Sequence, residues 1–175
     1  MNVRNMALWA LFAALLCLCA WISIPAADVA FTLQTFGVAL TLLLLKGKGG
    51  TVSVFVYLLL GAVGLPVFTG FQGGIGTLLG VTGGYIAGFL VWALLYWLIT
   101  ALSPDSLQAR IFAMVAGLVA CYTFGSVWFY TVYLQGGEAV GMGLVLLKCV
   151  VPYLLPDALK LSLAFLLAQR LKRFV

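Results

Sequence analysis

The chain has 175 residues, of which 65% are hydrophobic and only 7% are charged, and its mean hydropathy is +1.23. A soluble domain carries about 25% charged residues, so this composition excludes a soluble protein and predicts an all-α integral membrane protein. The net charge of +5 arises from nine Lys and Arg residues against four Asp and Glu residues, and in a membrane protein such an excess indicates topology rather than nucleic-acid binding.

Long uncharged stretches predict six membrane-spanning helices in a single domain that covers residues 1–175. The first apolar run, from Met6 to Ile24, is longer than the roughly 7–15-residue core of a secretory signal, so we expect a spanning helix rather than a cleaved segment. The predicted helices cover about 6–23, a second ending at about 45, about 52–63, a fourth ending at about 100, much of 111–137 and about 156–170. Residues 139–151 are too short and too interrupted by glycine to predict another span.

Two features of the first predicted helices suggest contacts beyond ordinary packing. Ala10 and Ala14 form a small-xxx-small ridge on the first helix, which suits close approach of another helix, within this chain by default. Thr32, Gln34 and Thr35 bring hydrogen-bonding groups to the start of the second helix. Side chains at the start of a helix can equally serve only to accept hydrogen bonds from its first backbone N–H groups.

The connector after the third predicted helix is rich in glycine. Ten of the 20 glycines fall within residues 61–88. Irregular backbone at membrane depth is stable only where protein or a water-filled cavity covers it, and glycine lets a backbone approach a partner or ligand closely. We therefore expect this connector to lie against protein or beside a cavity.

The segment Pro152–Lys160 places an acid and a base three residues apart in apolar surroundings. On a helix this spacing puts Asp157 and Lys160 on one face, where they can interact. Each charge would cost about 2.5–3.5 kcal/mol if it faced lipid, so neither is expected to do so. The pair either neutralises itself and holds two helices together or forms a polar ligand site, and we favour the ligand site.

The positive charges predict the orientation of the chain. With both termini cytoplasmic, seven cations fall inside and only Lys148 lies in an outer loop, while Lys160 is within the membrane. The inside residues are Arg4, Lys46, Lys48, Arg110, Arg170, Lys172 and Arg173. The loop after the first helix, the glycine-rich connector and the start of the last helix then all reach the outer side, which predicts one outward-facing pocket.

The residues expected in this pocket combine one charge pair with neutral polar and aromatic groups. Lys160 can pair with a ligand carboxylate, while Asp157 accepts N–H donors or orients the lysine. Aromatic walls suit a small, mostly apolar body, so a metabolite with one carboxylate fits better than an inorganic ion or a polyphosphate. The remaining candidates are Phe31, Thr32, Gln34, Gln72, Thr82, Tyr85 and Trp128. Individually, Tyr85 and Trp128 are more often packing residues, and Gln72 is consistent with a hydrated loop.

Several classes of function are disfavoured by absent motifs. The chain has no histidine, which disfavours metalloenzymes and intramembrane hydrolases. The four cysteines lack paired metal-ligand spacing, so no metal site or cofactor is predicted. The nucleotide-binding pattern GxxxxGK[ST] does not occur, so we do not expect the chain to hydrolyse ATP by itself.

Several short motifs occur in the order and spacing of one transporter family. They are Phe31-Thr-Leu-Gln34-Thr, Leu59-Leu-Gly-Ala-Val-Gly-Leu-Pro-Val-Phe68, Gly73-Gly, Val81-Thr-Gly-Gly-Tyr85, Pro152-Tyr and Asp157-Ala-Leu-Lys160. In these motifs the chain resembles BioY, the biotin-specific S component of energy-coupling-factor (ECF) vitamin transporters, over residues 10 to 172. It departs from the family at Val81, where a proline is usual, and at Leu155–Pro156, where the usual pair is Pro-Gly.

The resemblance implies a six-helix S-component fold that binds biotin with high affinity near the outer face of a bacterial cytoplasmic membrane. It implies that the first loop acts as a lid, that Asp157 and Lys160 contact or organise the ligand, and that Gly73 belongs to the site. It further implies that Ala10 and Ala14 dock on a membrane-embedded scaffold subunit, which works with two ATPase subunits. An S component for another carboxylate-bearing vitamin and a non-transport packing subunit remain as alternatives. The sequence leaves open whether the chain works alone, as a homo-oligomer or only with the ATPase module.

Overall fold

Helices make up most of the computed structural model, which describes residues 2–25, 29–103, 106–135 and 141–173. The helices are α1 (Val3–Trp21), α2 (Gln34–Ala62), α3 (Ile75–Leu79), α4 (Gly83–Leu102), α5 (Leu107–Gln135), α6 (Met142–Cys149) and α7 (Val151–Leu171). Two short strands, β1 (Ser23–Ile24) and β2 (Phe31–Thr32), pair antiparallel between α1 and α2. Within the described ranges, five segments are long and apolar enough to span a membrane: α1, α2, α4, α5 and residues 142–171.

The segment α2 is a hairpin of two helical arms, residues 34–45 and 47–62. Lys46 between them has a non-helical backbone with φ 61° and ψ −174°. Gly50 lies so close to Leu42 that a Cβ there would be 3.0 Å from the Leu42 Cα, which is impossible in a straight helix. At the open end, the Gln34 side chain donates to the Tyr57 hydroxyl at 2.8 Å. Counting the arms separately turns the five apolar segments into six, which is the number of spanning helices that the sequence predicted.

The second arm of this hairpin begins earlier than the sequence predicted. We expected a loop over residues 46–50 and a helix from about Val52, but a single residue makes the turn. The glycines after it are helical and buried, because their missing side chains make room for neighbours. A Cβ on Gly47 would meet Trp97 at 2.4 Å, and one on Gly49 would meet Trp9 at 2.7 Å.

The last helix also begins earlier than expected, at Val151 rather than at Pro156. Pro152 lies in its first turn, a position that suits proline because the missing N–H would have no helical partner there. Pro156 lies inside α7. The preceding α6 falls in the segment for which we predicted no span, and residues 136–140 lie outside the described part of the chain.

The interface between α4 and α5 depends on glycine at the points where large side chains cross. Gly84 faces Trp128, Gly88 faces Cys121, Gly117 faces Trp92 and Gly125 faces Tyr85. Small residues of this kind permit close helix packing in lipid. The aromatic side chains that fill these positions extend from the middle of the bundle to the neighbourhood of Asp157.

Replacing Gly117 with alanine is expected to destabilise the protein by about 1–3 kcal/mol, the usual cost of overpacking a filled core. The new Cβ would lie 1.9 Å from Trp92 Cδ1, and the Trp92 side chain is fully buried, so the ring would have to shift within the core. Thermal unfolding in detergent measures the effect. Gly143→Ala is the matched control, because nothing lies within 4 Å of its added Cβ. Equal melting temperatures for the two variants would refute the packing argument.

The β-hairpin and the glycine-rich connector lie at the end of the bundle where α7 begins. The Phe31 ring of β2 stacks on Tyr153 of α7 with centroids 4.3 Å apart. In the connector, Phe68 is fully buried against Tyr57 and Gly61. The connector is thus packed against protein at Val67 and Phe68, whereas residues 64–66, 70–72 and 75–76 are exposed, so the expectation that it lies against protein holds for part of it.

Candidate functional site

Asp157 is the centre of a hydrogen-bonded group that joins three helices. Its Oδ1 accepts hydrogen bonds from Thr35 Oγ1 of α2 at 2.8 Å and from Lys160 Nζ of α7 at 2.7 Å. Its Oδ2 accepts a short hydrogen bond from the Tyr122 hydroxyl of α5. Asp157 is only 2% exposed and is the one acidic residue in the described part of the chain. A buried carboxylate needs such donors, because leaving it unpaired would be very costly.

Lys160 lies one turn further along α7 and is the more accessible member of the pair. Its side chain is 16% exposed, against 3% for Asp157. A lysine ammonium has three N–H donors, so a single bond to Asp157 leaves capacity for a ligand. Thr35 and Tyr122 would continue to stabilise the Asp157 carboxylate if Lys160 turned towards a ligand. Asp157 therefore holds α2, α5 and α7 together through Thr35 and Tyr122, while Lys160, on the same helix as Asp157, is the group that can turn to a ligand.

A small cavity of about 70 Å³ opens beside this pair. Five of the predicted site residues line it: Thr32, Gln34, Tyr85, Asp157 and Lys160. The other lining residues are Val29, Ala30, Thr35, Phe89, Cys121, Tyr122, Cys149 and Tyr153. Cavities that bind small molecules measure roughly 300–1,000 Å³, so this one would have to expand to hold a molecule of that size.

The loop between the β-strands covers the cavity on one side. Val29 and Ala30 contribute to the lining, and the Tyr153 hydroxyl donates a short hydrogen bond to the Val29 carbonyl. Phe31 is outside the lining but stacks on Tyr153, which is part of it. Val29 is thus attached to α7 about one turn before Asp157, on the side of the cavity where the predicted lid would lie. Residues 26–28 lie outside the described part of the chain.

Gln34 connects the cavity to the glycine-rich connector. Its side-chain oxygen accepts from Thr32 Oγ1 at 3.0 Å and from Thr69 Oγ1 at 3.2 Å, and its nitrogen donates to Tyr57. Thr32 Oγ1 also accepts from the Gln34 backbone N–H at 3.2 Å, at the start of α2. Thr32 therefore has the helix-terminal role that the sequence left open, and the Gln34 side chain lines the cavity and bonds to the connector.

Besides Phe31, four predicted site residues lie outside this cavity lining. Gln72 is exposed, and Gly73 packs so closely on the connector that a Cβ would be 2.1 Å from the Leu65 carbonyl oxygen. Thr82 precedes α4, and Trp128 Nε1 donates to the Gly80 carbonyl at 3.0 Å. The structure gives these residues contacts within the protein, and their role towards a ligand stays a prediction.

The sequence did not single out the tyrosines that complete the site. Tyr122 lies within the apolar helix α5, where its hydroxyl needs a polar partner. This need could have indicated that Tyr122 belongs to a polar site. Tyr153 is part of the Pro152-Tyr motif, but the sequence assigned it no role of its own. Thr35 was recognised as a polar group at the start of α2, but its contact with Asp157 spans 122 residues of sequence and required the fold.

The small residues predicted for partner docking lie on the outside of the bundle. Ala10 and Ala14 of α1 are both exposed, and so is Ala7 one turn earlier. The buried side of the same helix consists of other residues, including Phe12, Ala13 and Leu16. The ridge is therefore not used for packing within the described part of the chain.

The chain is similar over nearly its whole length to proteins named as biotin transporters. The BioY family model matches residues 1–175. The biotin transporter BioY of Thermotoga maritima is 42% identical over 93% of this chain and 92% of its own length. The probable biotin transporter BioY of Pyrococcus horikoshii is 36% identical over 98% of both chains.

The fold is similar to that of a solved transporter component. A crystal structure at 2.1 Å of the S-component for biotin from an ECF-type ABC transporter matches with a TM-score of 0.83 and 26% identity. The match covers 99% of this chain and 93% of that one. The six-helix S-component fold is thus confirmed. The family is one of transporter components rather than enzymes, and the chain belongs to the BioY family.

Proposed function

We propose that this chain is the biotin-binding S component of an ECF-type transporter. The observation that carries the proposal is the buried Asp157–Lys160 pair under the β-hairpin loop, in a fold that matches a biotin S-component. The names of the relatives support the same substrate. In this proposal the protein recognises the vitamin, while other subunits provide the energy for uptake.

Biotin carries the groups that can bind to this site: a carboxylate for Lys160 and an apolar body for the aromatic wall. Its valerate tail ends in one carboxylate, which can take hydrogen bonds from the free donors of Lys160. Its apolar ring body suits the neighbouring Phe89 and Tyr153 side chains, and its ureido N–H groups need acceptors. Binding requires the loop at Val29 to separate from Tyr153, because the closed cavity of about 70 Å³ is too small. Reclosure of the loop would then cover the ligand.

The purified protein is expected to bind labelled biotin at one site per chain. Unlabelled biotin should displace the label, whereas other carboxylate-bearing vitamins such as pantothenate and lipoate should require much higher concentrations. Equilibrium dialysis with a panel of vitamins measures this. Displacement by a different vitamin at lower concentration would identify an S component of other specificity. Absence of binding to every member would favour a packing subunit.

We propose that both termini are cytoplasmic in a bacterial membrane, since this orientation places seven cations inside and one outside. The Asp157 site then opens outwards, as uptake requires. The exposed ridge of Ala10 and Ala14 is the proposed contact with the membrane-embedded scaffold subunit, which joins the S component to two ATPase subunits. Small exposed residues allow a partner helix to approach closely.

The Ala10→Leu/Ala14→Leu variant is expected to lose co-purification with the scaffold and ATPase subunits but to keep biotin binding. The added side chains project from an exposed face, so they should obstruct a partner without disturbing the bundle. Val119→Leu on α5 is the control, because Val119 is 56% exposed on another helix. Unchanged assembly of the double variant would exclude the ridge as the docking surface.

A further inference from the structure

A second and larger cavity lies at the opposite end of the bundle. It measures about 1,000 Å³ and is enclosed by α1, the turn of the α2 hairpin, α4, α5 and the residue after α7. Twelve residues separate Lys160 beside the first cavity from Lys172 beside this one, which is about 18 Å of helical rise. The two cavities are therefore separate, and nothing in the proposed uptake of biotin uses the second.

The second cavity is strongly positive. Lys46, Lys48, Arg110 and Lys172 all line it, and no acidic residue does so among the described residues. Asp105 lies outside the described part of the chain. Partial burial lowers the pKa of Lys172, and the nearby charges of Arg110 and Lys46 lower it further. Arg110 Nε is buried without a hydrogen-bond partner in the described structure. This convergence of like charges would be relieved by a bound anion.

The rest of the cavity wall suits a lipid rather than a small soluble anion. Trp9, Tyr96 and Trp97 have the amphipathic rings that occupy the headgroup level of a membrane. Leu8, Leu43, Leu44, Leu45 and Ala101 add an apolar surface on which an acyl chain can lie. Basic pockets between spanning helices are a known type of site for anionic headgroups.

We propose that this cavity binds the phosphate group of an anionic phospholipid, with Lys46, Arg110 and Lys172 as its main contacts. A phospholipid headgroup and inorganic phosphate both present a phosphate anion to these cations. The apolar wall favours the phospholipid, because only the lipid has acyl chains that can lie on it. The site is independent of biotin recognition, because it shares no lining residue with the Asp157 cavity.

Native mass spectrometry of the detergent-purified protein, titrated with phosphatidylglycerol or with phosphatidylcholine of the same acyl chains, tests the proposal. We expect one phosphatidylglycerol per chain to bind in preference to phosphatidylcholine. The Lys46→Gln/Arg110→Gln/Lys172→Gln variant should bind phosphatidylglycerol about 100-fold more weakly, from the usual contribution of three cations near a membrane surface. Quenching of tryptophan fluorescence by phosphatidylglycerol with brominated acyl chains gives a second measurement of the same binding.

The control variant removes the same number of positive charges from residues outside the cavity. Arg4→Gln/Arg170→Gln/Arg173→Gln neutralises three exposed cations that do not line the cavity, and it should bind phosphatidylglycerol like the wild type. Should the cavity variant not fold, Lys46→Gln/Lys48→Gln alters only exposed side chains and should still weaken binding at least tenfold. Equal losses in the cavity and control variants, or no preference for phosphatidylglycerol, would overturn the proposal. Displacement of the lipid by millimolar inorganic phosphate would assign the site to a soluble anion instead.

Discussion

The Lys160→Met variant is expected to bind biotin at least about 100-fold more weakly than the wild type, while remaining folded. Removing one partner of a buried charge pair across a binding interface usually costs 2–5 kcal/mol, and 100-fold corresponds to about 3 kcal/mol. Methionine keeps an unbranched apolar stem in the partly buried position. Removing Lys160 leaves the buried Asp157 charge without its cation, but the carboxylate retains hydrogen bonds from Thr35 and Tyr122, so the protein should stay folded and lose less stability than Asp157→Ala. Isothermal titration calorimetry measures the affinity.

A second ligand shows whether Lys160 acts on the carboxylate. Biotin amide lacks the negative charge, so it should bind the wild type more weakly than biotin does. In Lys160→Met the two ligands should bind about equally, because the group that distinguishes them is gone. Lys148→Met is a control, since Lys148 does not line the cavity. If the variant still preferred biotin over the amide, another group would be responsible for carboxylate recognition.

The charge pair and the hairpin turn were predictable because each depends on local sequence. Asp157 and Lys160 are three residues apart, so any helix brings them together. The break between the second and third helices was marked by Lys46 and its neighbouring glycines. The sequence did not show that the turn is only one residue long, because glycines such as those after Lys46 occur in loops and in closely packed helices alike. Contacts with Trp9 and Trp97, from distant parts of the chain, make them helical.

The partners of Asp157 could not be predicted because they come from other helices. Tyr122 is 35 residues away and Thr35 is 122 residues away in sequence. Which face of α5 turns inwards is decided by the glycine contacts with α4, such as Gly88 against Cys121, and no local pattern contains that information. For the same reason, the sequence could not show that Trp128 bonds to Gly80 of the connector, or that neither Trp128 nor Thr82 lines the cavity.

Replacing Asp157 is expected to affect stability and binding together, in contrast to Lys160. Asp157→Ala leaves the Lys160 ammonium without its partner and removes the acceptor for Thr35 and Tyr122. Breaking a buried pair in this way typically costs about 3–5 kcal/mol, so the melting temperature should fall sharply. Tyr122→Phe and Thr35→Val each remove one donor and leave the charge pair intact, so each should have a smaller effect, about 1.5–3 kcal/mol. Thermal unfolding in detergent gives this order directly.

The Asp157→Asn variant separates a structural role from a role in binding. Asparagine keeps the size of the side chain and can still accept a hydrogen bond, so it should recover part of the stability lost in Asp157→Ala. Biotin at 100 times its dissociation constant should stabilise the wild type by about 2.7 kcal/mol through mass action. We expect the same biotin concentration to give Asp157→Asn little stabilisation, because Lys160 is no longer held in place by a carboxylate. A full biotin-dependent shift in this variant would mean that Asp157 only joins the helices and that Lys160 recognises the ligand without it.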